Sequence, residues 1–193
     1  IRLTVDGTFV NPKEPIATVI NERQKIRGLK VDTAGQTLPP IYVYAVETAI
    51  QMTLTELNEN LREIYLEAYT QKEASEYIFR ETAKEIQQIF GAYQPGFTAA
   101  DFYAMELGSA GIMRAYMAQP CDEALTLERK IQLFLTMSLR AYRVPEEEIE
   151  KTLAYIAGRD IRAVSERVMH ILFQTLAMRY EFSLSDLTQP GLE

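Results

Sequence analysis

The chain has 193 residues, 47% of them hydrophobic, so it is long enough and apolar enough to bury a globular core. Aspartate and glutamate (27) outnumber lysine and arginine (20), and the resulting net charge of −7 excludes the basic surface that these residues would need to bind nucleic acid by themselves. One cysteine and one histidine exclude an internal disulfide, a multi-cysteine metal site and a di-iron bundle, so we expect no metal and no cofactor.

Residues 1–11 allow two interpretations. Asp6-Gly7 lies between Thr4-Val5 and Thr8-Phe9-Val10, and Asp-Gly between β-branched residues is typical of a hairpin. The alternative is the end of a linking helix that started earlier. The chain begins at Ile1 in the middle of a pattern and without a cap. We therefore expect residues 1–11 to be the remnant of a longer N-terminal region.

Residues 12–182 predict one helical domain. Asn11-Pro12 caps a helix that runs to about Arg27, with Gly28 as its stop, and a loop follows. The next apolar pattern predicts a long helix from Pro40 to Leu57. After an interruption at Asn58-Glu-Asn60, the helical pattern continues over residues 61–69.

Between Thr70 and Val144 the sequence predicts three capped helices. Thr70-Gln-Lys-Glu73 forms a capping box for the first, which Gly91 closes, and the other two begin at Thr98 and Thr126. The helix from Thr98 is apolar almost all round and carries small residues at Gly108–Gly111. Such a helix is expected to be buried on most sides, with another backbone close to the small residues.

Two further helices complete the domain. Pro145 opens one that stops at Gly158, Asp160 caps the last, and residues 183–193 form a loose polar tail. The predicted fold class is all-α, a multi-helix bundle of about seven or eight helices.

No pattern in the chain predicts catalysis. The only histidine, His170, has no recognisable partner, Cys121 lies beside Pro120 in a helix connection, and no nucleophile elbow or phosphate loop is present. We therefore predict that the protein is not an enzyme. No apolar stretch approaches the roughly 20 residues that cross a bilayer, and no signal peptide starts the chain. We expect a cytoplasmic protein without a membrane partner.

Three charges lie on otherwise apolar helix stripes: Glu47, Glu106 and Arg114. A buried charge is costly unless it is paired, so each needs an ion partner, a ligand or a route to water. One interpretation is internal ion pairing or snorkelling. The other is that these charges line a cavity, to which the many tyrosines and methionines would give an adaptable lining.

Four segments resemble the effector-binding and dimerisation part of TetR-type transcriptional regulators, of the divergent clostridial kind. They are Leu38-Pro-Pro-Ile-Tyr-Val-Tyr-Ala-Val-Glu-Thr-Ala49, Asn60-Leu-Arg-Glu-Ile-Tyr-Leu-Glu-Ala-Tyr69, Ser75-Glu-Tyr-Ile78 and Ser109-Ala-Gly-Ile-Met-Arg-Ala-Tyr-Met117. The resemblance covers roughly Pro12 to Arg159. The DNA-reading helix-turn-helix of that family is not found in the chain.

The resemblance implies a ligand-responsive repressor that forms a homodimer and binds an unknown small-molecule effector. Operator DNA would be bound only through an N-terminal domain missing from the chain. The alternative function is a helical interaction or scaffold protein without a small-molecule site. The candidate pocket residues are Tyr44, Tyr65, Tyr69, Phe102 and Arg114, with Arg114 as a bidentate anchor for an anionic ligand. The candidate interface residues are Ala110, Met113, Met117, Leu133 and Met137.

Overall fold

A computed structural model describes residues 4–5, 8–9 and 38–170. Within residues 38–170 it contains seven α-helices, which confirms the all-α class: α1 (Pro40–Leu57), α2 (Glu59–Ala68), α3 (Lys72–Phe90), α4 (Ala99–Ala118), α5 (Leu127–Ala141), α6 (Glu146–Ala157) and α7 (from residue 161, helical through residue 170). A 3₁₀ turn, Gly91–Tyr93, extends α3. The predicted helix to Arg27 and the tail after residue 182 lie outside the described residues.

A short antiparallel pair forms near the N-terminus. Strand β1 (Thr4–Val5) pairs with β2 (Thr8–Phe9), with Thr4 opposite Phe9 and Val5 opposite Thr8. Of the two interpretations of residues 1–11, this antiparallel pairing fits the hairpin, because only two sequence positions separate β1 from β2.

Helix α1 occupies the middle of the bundle, where it contacts each of α2 to α6. Its break from α2 is a single residue, Asn58, rather than the three that the sequence predicted. Asn58 has an extended backbone, and its side chain accepts a hydrogen bond from the Leu61 amide at 3.0 Å. This bond caps α2, so the next helix begins at once with Glu59.

Two of the three predicted caps between Thr70 and Val144 are confirmed. Thr98 accepts from the amide of Asp101 in a full capping box, and Thr126 accepts from the amide of Arg129. The capping box at Thr70 is wrong, because its hydroxyl donates backwards to the Glu67 carbonyl at 2.8 Å. Helix α3 has Gln71 at its N-cap position and no side-chain cap hydrogen bond, so Thr70 lies one residue too early to cap it.

The last two predicted helix signals are also present. Pro145 precedes α6, which ends before Gly158, and Asp160 accepts a hydrogen bond from the Ala163 amide at 2.9 Å at the start of α7. Gly91 follows α3 as predicted, but its φ of −58° continues the helical direction into the 3₁₀ turn. The chain therefore turns away only after Tyr93.

Helix α4 turns one side to the core and the other to solvent. The predicted interface residues Ala110, Met113 and Met117 are only 4%, 6% and 2% exposed, so they lie on the side of α4 that packs into the core of the chain. Leu133 is partly buried and Met137 is 40% exposed. Because α4 is apolar almost all round, its pattern does not indicate which side faces inward.

The exposed side of α4 carries a row of small and apolar residues. Nothing among the described residues approaches within 4 Å of a Cβ built on Gly108 or Gly111, so the close backbone predicted there is not found in that part of the chain. We call the exposed apolar residues the α4 face: Ala104, Leu107, Gly108, Gly111, Ile112, Ala115 and Ala118.

Candidate ligand site

Three aromatic rings meet where α1, α3 and α5 converge. Phe90 and Tyr142 stack with ring centroids 4.3 Å apart and planes at 10°, and Tyr44 meets both edge-on, at 5.2 Å and 6.1 Å. Phe90 and Tyr142 are 0% and 1% exposed, whereas Tyr44 is partly exposed. Aromatic pairs in these geometries contribute stability beyond their buried area, so this part of the core is well fixed.

Polar side chains lie within this aromatic region. Glu106 and Ser109 come from α4, Ser138 comes from α5, and all three interact electrostatically with the ring hydroxyls of Tyr44 or Tyr142. Glu106 is 5% exposed and Ser138 is 6% exposed. We call Tyr44, Glu106, Ser109, Ser138 and Tyr142 the Tyr142 cluster. It is a polar site inside an apolar bundle.

The hydroxyl of Tyr142 is the notable atom of the Tyr142 cluster. It is fully buried and forms no hydrogen bond of normal geometry, although the hydroxyls of Tyr44 and Ser109 lie close enough to interact with it. A buried polar group without a partner costs about 1–3 kcal/mol, and native structures contain few of them. The Tyr142 hydroxyl therefore has the capacity to donate to, or accept from, a group that enters the cluster.

Both phenols of the cluster resist ionisation. Burial raises the pKa of Tyr44 to about 12; the negative charge of Glu106 adds to the rise, and the hydroxyls of Ser138, Ser109 and Tyr142 oppose it. Burial also raises the pKa of Tyr142, with further increases from Tyr44 and Glu106. At neutral pH both rings are uncharged hydrogen-bonding groups, which suits recognition of a ligand more than acid–base chemistry.

The structure brings only two of the five predicted pocket residues to this site. Tyr44 belongs to the Tyr142 cluster, and Phe102, 1% exposed, packs in the part of the hydrophobic core that contains Phe90 and Tyr142. Tyr65 and Tyr69 lie in a second, separate part of the core, where Tyr69 stacks on Phe79 with ring centroids 6.2 Å apart. Arg114, the predicted bidentate anchor, is exposed and lies outside the Tyr142 cluster. It lies beside the α4 face.

A groove of about 330 Å³ opens at a place that the sequence analysis did not predict. It lies between the start of α1 and the start of α6, two helices far apart in the sequence. Beside it, the Tyr93 hydroxyl donates to Glu148 at 2.7 Å, and Tyr42 stacks on Tyr155 with centroids 4.6 Å apart. The groove is lined by Pro39, Ile41, Tyr42, Pro145, Glu147, Glu148 and Lys151.

A buried ion network was also missed. The Glu56 carboxylate lies 3.3 Å from both Arg62 and Lys130, accepts from the Cys121 amide at 3.0 Å, and joins the α1–α2 turn to the α4–α5 connection. Lys130, which also donates to the Gln119 carbonyl, is 2% exposed. One indication of this network is visible in the sequence, because Lys130 lies directly before Ile131 on the apolar side of α5. The partner of Lys130, Glu56, is 74 residues away and cannot be identified from the sequence pattern.

Residues 4–5, 8–9 and 38–170 contain no group of three or more His, Cys, Asp and Glu side chains that could hold a metal ion. None of the helices in the same part of the chain combines the length and the apolar character that crossing a bilayer requires. Comparisons of the chain with protein-family models, with curated proteins and with solved structures gave no match.

Proposed function

We propose that this chain is the effector-binding and dimerisation region of a ligand-responsive transcriptional regulator, a repressor that a small molecule controls. The observation that carries the proposal is the Tyr142 cluster, a set of largely buried polar groups where α1, α3, α4 and α5 meet, in which the Tyr142 hydroxyl forms no hydrogen bond of normal geometry. The resemblance of four segments to TetR-type regulators supports the same function. Operator DNA is bound, in this proposal, by a separate segment, because the chain is acidic.

The composition of the Tyr142 cluster indicates what kind of molecule it would hold. Phenol and serine hydroxyls donate and accept, the Glu106 carboxylate accepts, and the rings of Phe90 and Phe102 offer apolar contact. Small-molecule sites combine mainly apolar walls with a few convergent polar groups of this kind. The ligand is therefore a largely apolar molecule that carries at least one hydrogen-bonding group.

The Tyr142 cluster contacts three helices, so a ligand bound there could change how those helices are arranged. Tyr44 belongs to α1, Phe90 ends α3, and Tyr142 follows the last residue of α5. A ligand that separates the stacked rings of Phe90 and Tyr142 displaces the ends of two helices. If the two arrangements of these helices differ in their affinity for the ligand, binding shifts the population between them and thereby alters the geometry of the paired DNA-binding segments.

The test is a screen for small molecules that raise the melting temperature of residues 1–193, followed by calorimetric titration. Ligand affinity is expected to fall at least about tenfold in Tyr142→Phe, because the hydroxyl that meets the ligand is lost while the ring remains. Tyr116→Phe is the matched control, since Tyr116 lies on α4 away from the cluster and should keep full affinity. A ligand bound equally well by Tyr142→Phe would show that the cluster is not its site.

The alternative is a helical interaction protein, and the exposed α4 face is the observation that favours it. Leu107 and Ile112 are 43% and 40% exposed, and both lie on the side of α4 that faces solvent. An interaction protein would bind another macromolecule through such a face and would have no use for an internal polar site. A chain that binds no compound in the screen, but associates through α4, would favour this alternative.

A further inference from the structure

The groove of about 330 Å³ between the starts of α1 and α6, which we call the α1–α6 groove, is separate from the Tyr142 cluster, and no residue of that cluster lines it. Each of the two helices follows a proline with an extended backbone, Pro39 (φ −53°, ψ 140°) and Pro145 (φ −58°, ψ 141°). These two rings and the side chain of Ile41 give the groove apolar walls. Its volume falls at the lower end of the range of small-molecule sites, which is about 300–1,000 Å³.

Among the three acids in the first turn of α6, Glu148 is the one whose charge is not balanced within the described part of the chain. Glu146 forms an ion pair with Arg140 at 2.7 Å, and Glu147 forms one with Lys151 at 2.6 Å. Glu148 lines the α1–α6 groove and is less exposed than the other two acids. Within residues 38–170 no lysine or arginine forms an ion pair with it. A partly buried carboxylate is costly without a cation, so the groove offers a place for a positive charge.

The hydrogen bond that Glu148 does form leaves its charge in place. Its Oε2 accepts from the Tyr93 hydroxyl at 2.7 Å. Burial raises the pKa of Tyr93 to about 12, and the hydrogen bond and charge of Glu148 add to the rise, so the phenol is an uncharged donor at neutral pH. The second oxygen of Glu148, Oε1, accepts no hydrogen bond from the described residues and is available to a ligand.

Tyr42 gives the α1–α6 groove an aromatic wall. Tyr155 stacks on one side of the Tyr42 ring, with centroids 4.6 Å apart and planes at 15°. The Arg159 guanidinium lies 4.4 Å from the centre of the Tyr155 ring. These contacts hold the Tyr42 ring in place beside the groove. Aromatic walls attract cations, and those of quaternary ammonium ligands in particular are commonly recognised by them.

The helix ends beside the groove do not favour an anion instead. A helix N-terminus carries a partial positive charge because its first amides are unpaired. At α1 this charge is weakened, since Pro39 and Pro40 have no amide hydrogen, and at α6 three glutamates occupy the first turn. The cation of Lys151 is matched by Glu147 at 2.6 Å. The carboxylate of Glu148 therefore decides which sign of ligand the groove accepts.

We propose that the α1–α6 groove binds a small organic cation, an alkylated ammonium compound, with Glu148 as its counter-charge and the Tyr42 ring against its alkyl groups. This site goes beyond the proposed function, because it lies outside the Tyr142 cluster and takes a ligand of a different class.

Choline and 3,3-dimethylbutan-1-ol test the charge preference, because the two molecules have the same shape and only choline is charged. In NMR titrations of the full chain, choline should bind at about 0.15 M NaCl, where contacts between fully exposed charges are largely screened. The neutral alcohol should bind at least about fivefold more weakly, as expected for loss of about one ion pair. Absence of choline binding, or equal binding of the two probes, would overturn the proposal.

Charge variants test the position of the cation. Glu148→Gln keeps an oxygen that can accept from Tyr93 but removes the charge, and it should weaken choline binding at least about fivefold. Glu150→Gln makes the same charge change at an exposed position of α6 outside the groove, and it should bind choline as the wild type does. Lys151→Gln leaves Glu147 unneutralised and should strengthen choline binding about twofold, a gain that a misfolded variant cannot produce. Equal affinities in Glu148→Gln and Glu150→Gln, or weaker binding in Lys151→Gln, would overturn the proposal.

Tyrosine variants test the aromatic wall and separate the groove from the Tyr142 cluster. Tyr42→Leu should weaken choline binding about threefold, whereas Tyr77→Leu, at a tyrosine 48% exposed outside the groove, should not. Tyr142→Phe should bind choline as the wild type does. Loss of choline binding in Tyr142→Phe but not in Glu148→Gln would overturn the groove and support the site of the proposed function. Loss in Glu148→Gln alone would support the groove, whatever the screened ligand of the Tyr142 cluster shows.

Discussion

The rings of Phe90 and Tyr142 stack at 4.3 Å and nearly parallel, and this contact fastens the end of α3 to the end of α5. The two residues are 52 positions apart in the chain; Phe90 is the last residue of α3, and Tyr142 directly follows the last residue of α5. With both rings almost wholly buried, the hydroxyl of Tyr142 is carried into the interior by the packing of its ring. The unpartnered hydroxyl is therefore a consequence of where the ring must lie.

Replacing this hydroxyl should not destabilise the protein. Tyr142→Phe keeps the stacked ring and removes a buried group without a partner, so the free energy of unfolding should be unchanged or rise by up to about 1 kcal/mol. Tyr93→Phe is the matched comparison, because the Tyr93 hydroxyl donates to Glu148 at 2.7 Å and its loss should cost about 1 kcal/mol. Urea denaturation measures both. A loss of more than about 1 kcal/mol in Tyr142→Phe would mean that the hydroxyl is partnered.

The ion network around Glu56 should depend strongly on its carboxylate. Glu56→Gln leaves the cations of Arg62 and Lys130 buried beside a neutral amide, and we expect the free energy of unfolding to fall by about 2–3 kcal/mol. Glu59→Gln is the control, since Glu59 also contacts Arg62 but its side chain is 68% exposed, and it should cost no more than about 1 kcal/mol. Equal losses in the two variants would show that burial does not strengthen the contact.

The same carboxylate should make stability depend on pH. Burial alone would raise the pKa of Glu56, but hydrogen bonds from Cys121 and the charge of Lys130 outweigh it and lower the pKa below its ordinary value of 4.5. A lowered pKa in the folded state means that the stabilisation is complete above 4.5 and is lost as the pH falls through the folded pKa. The difference in unfolding free energy between wild type and Glu56→Gln should therefore shrink as the pH is lowered from about 7 to about 3. A difference that stays constant over this range would contradict the lowered pKa.

Much of the helical framework could be predicted because its signals are local. Thr98, Thr126 and Asp160 each bond to an amide three residues ahead, and Pro145 fixes the start of α6 within the first turn. Such interactions depend only on the type and spacing of neighbouring residues. The same reasoning failed at Thr70, because α3 begins one residue later than the pattern predicts, with Gln71 at the N-cap position, and the Thr70 hydroxyl donates to the Glu67 carbonyl of α2.

The candidate site could be predicted only in part, because it depends on contacts between distant segments. Tyr44 and Phe102 were found by their place on apolar helices. Tyr142 was missed, because it follows α5 and its importance arises only from Phe90 and from the polar groups of α4. Arg114 was misplaced for a related reason. On a helix that is apolar nearly all round, an arginine is as compatible with the exposed side as with the buried one.

The two threonines that the sequence presented as equal caps provide a last test of the fold. Thr98 and Asp101 satisfy each other's amides, with the Thr98 amide 2.7 Å from the Asp101 carboxylate, and these bonds lower the pKa of Asp101. Thr98→Ala should therefore reduce the free energy of unfolding by about 1 kcal/mol, as is usual for loss of an N-cap. Thr70→Ala should cost less than about half of that, because it removes one exposed hydrogen bond to the Glu67 carbonyl and leaves the amides of α3 as they were. Urea denaturation of the two variants compares them directly. Because Asp101 also contributes a charge at the positive end of α4, Asp101→Asn should lose part of the same stability. That loss should begin to shrink below the ordinary pKa of aspartate and should disappear as the pH falls through the lowered pKa of the folded state, where the wild-type carboxylate becomes neutral. Equal losses in Thr70→Ala and Thr98→Ala would show that Thr70 caps α3 after all.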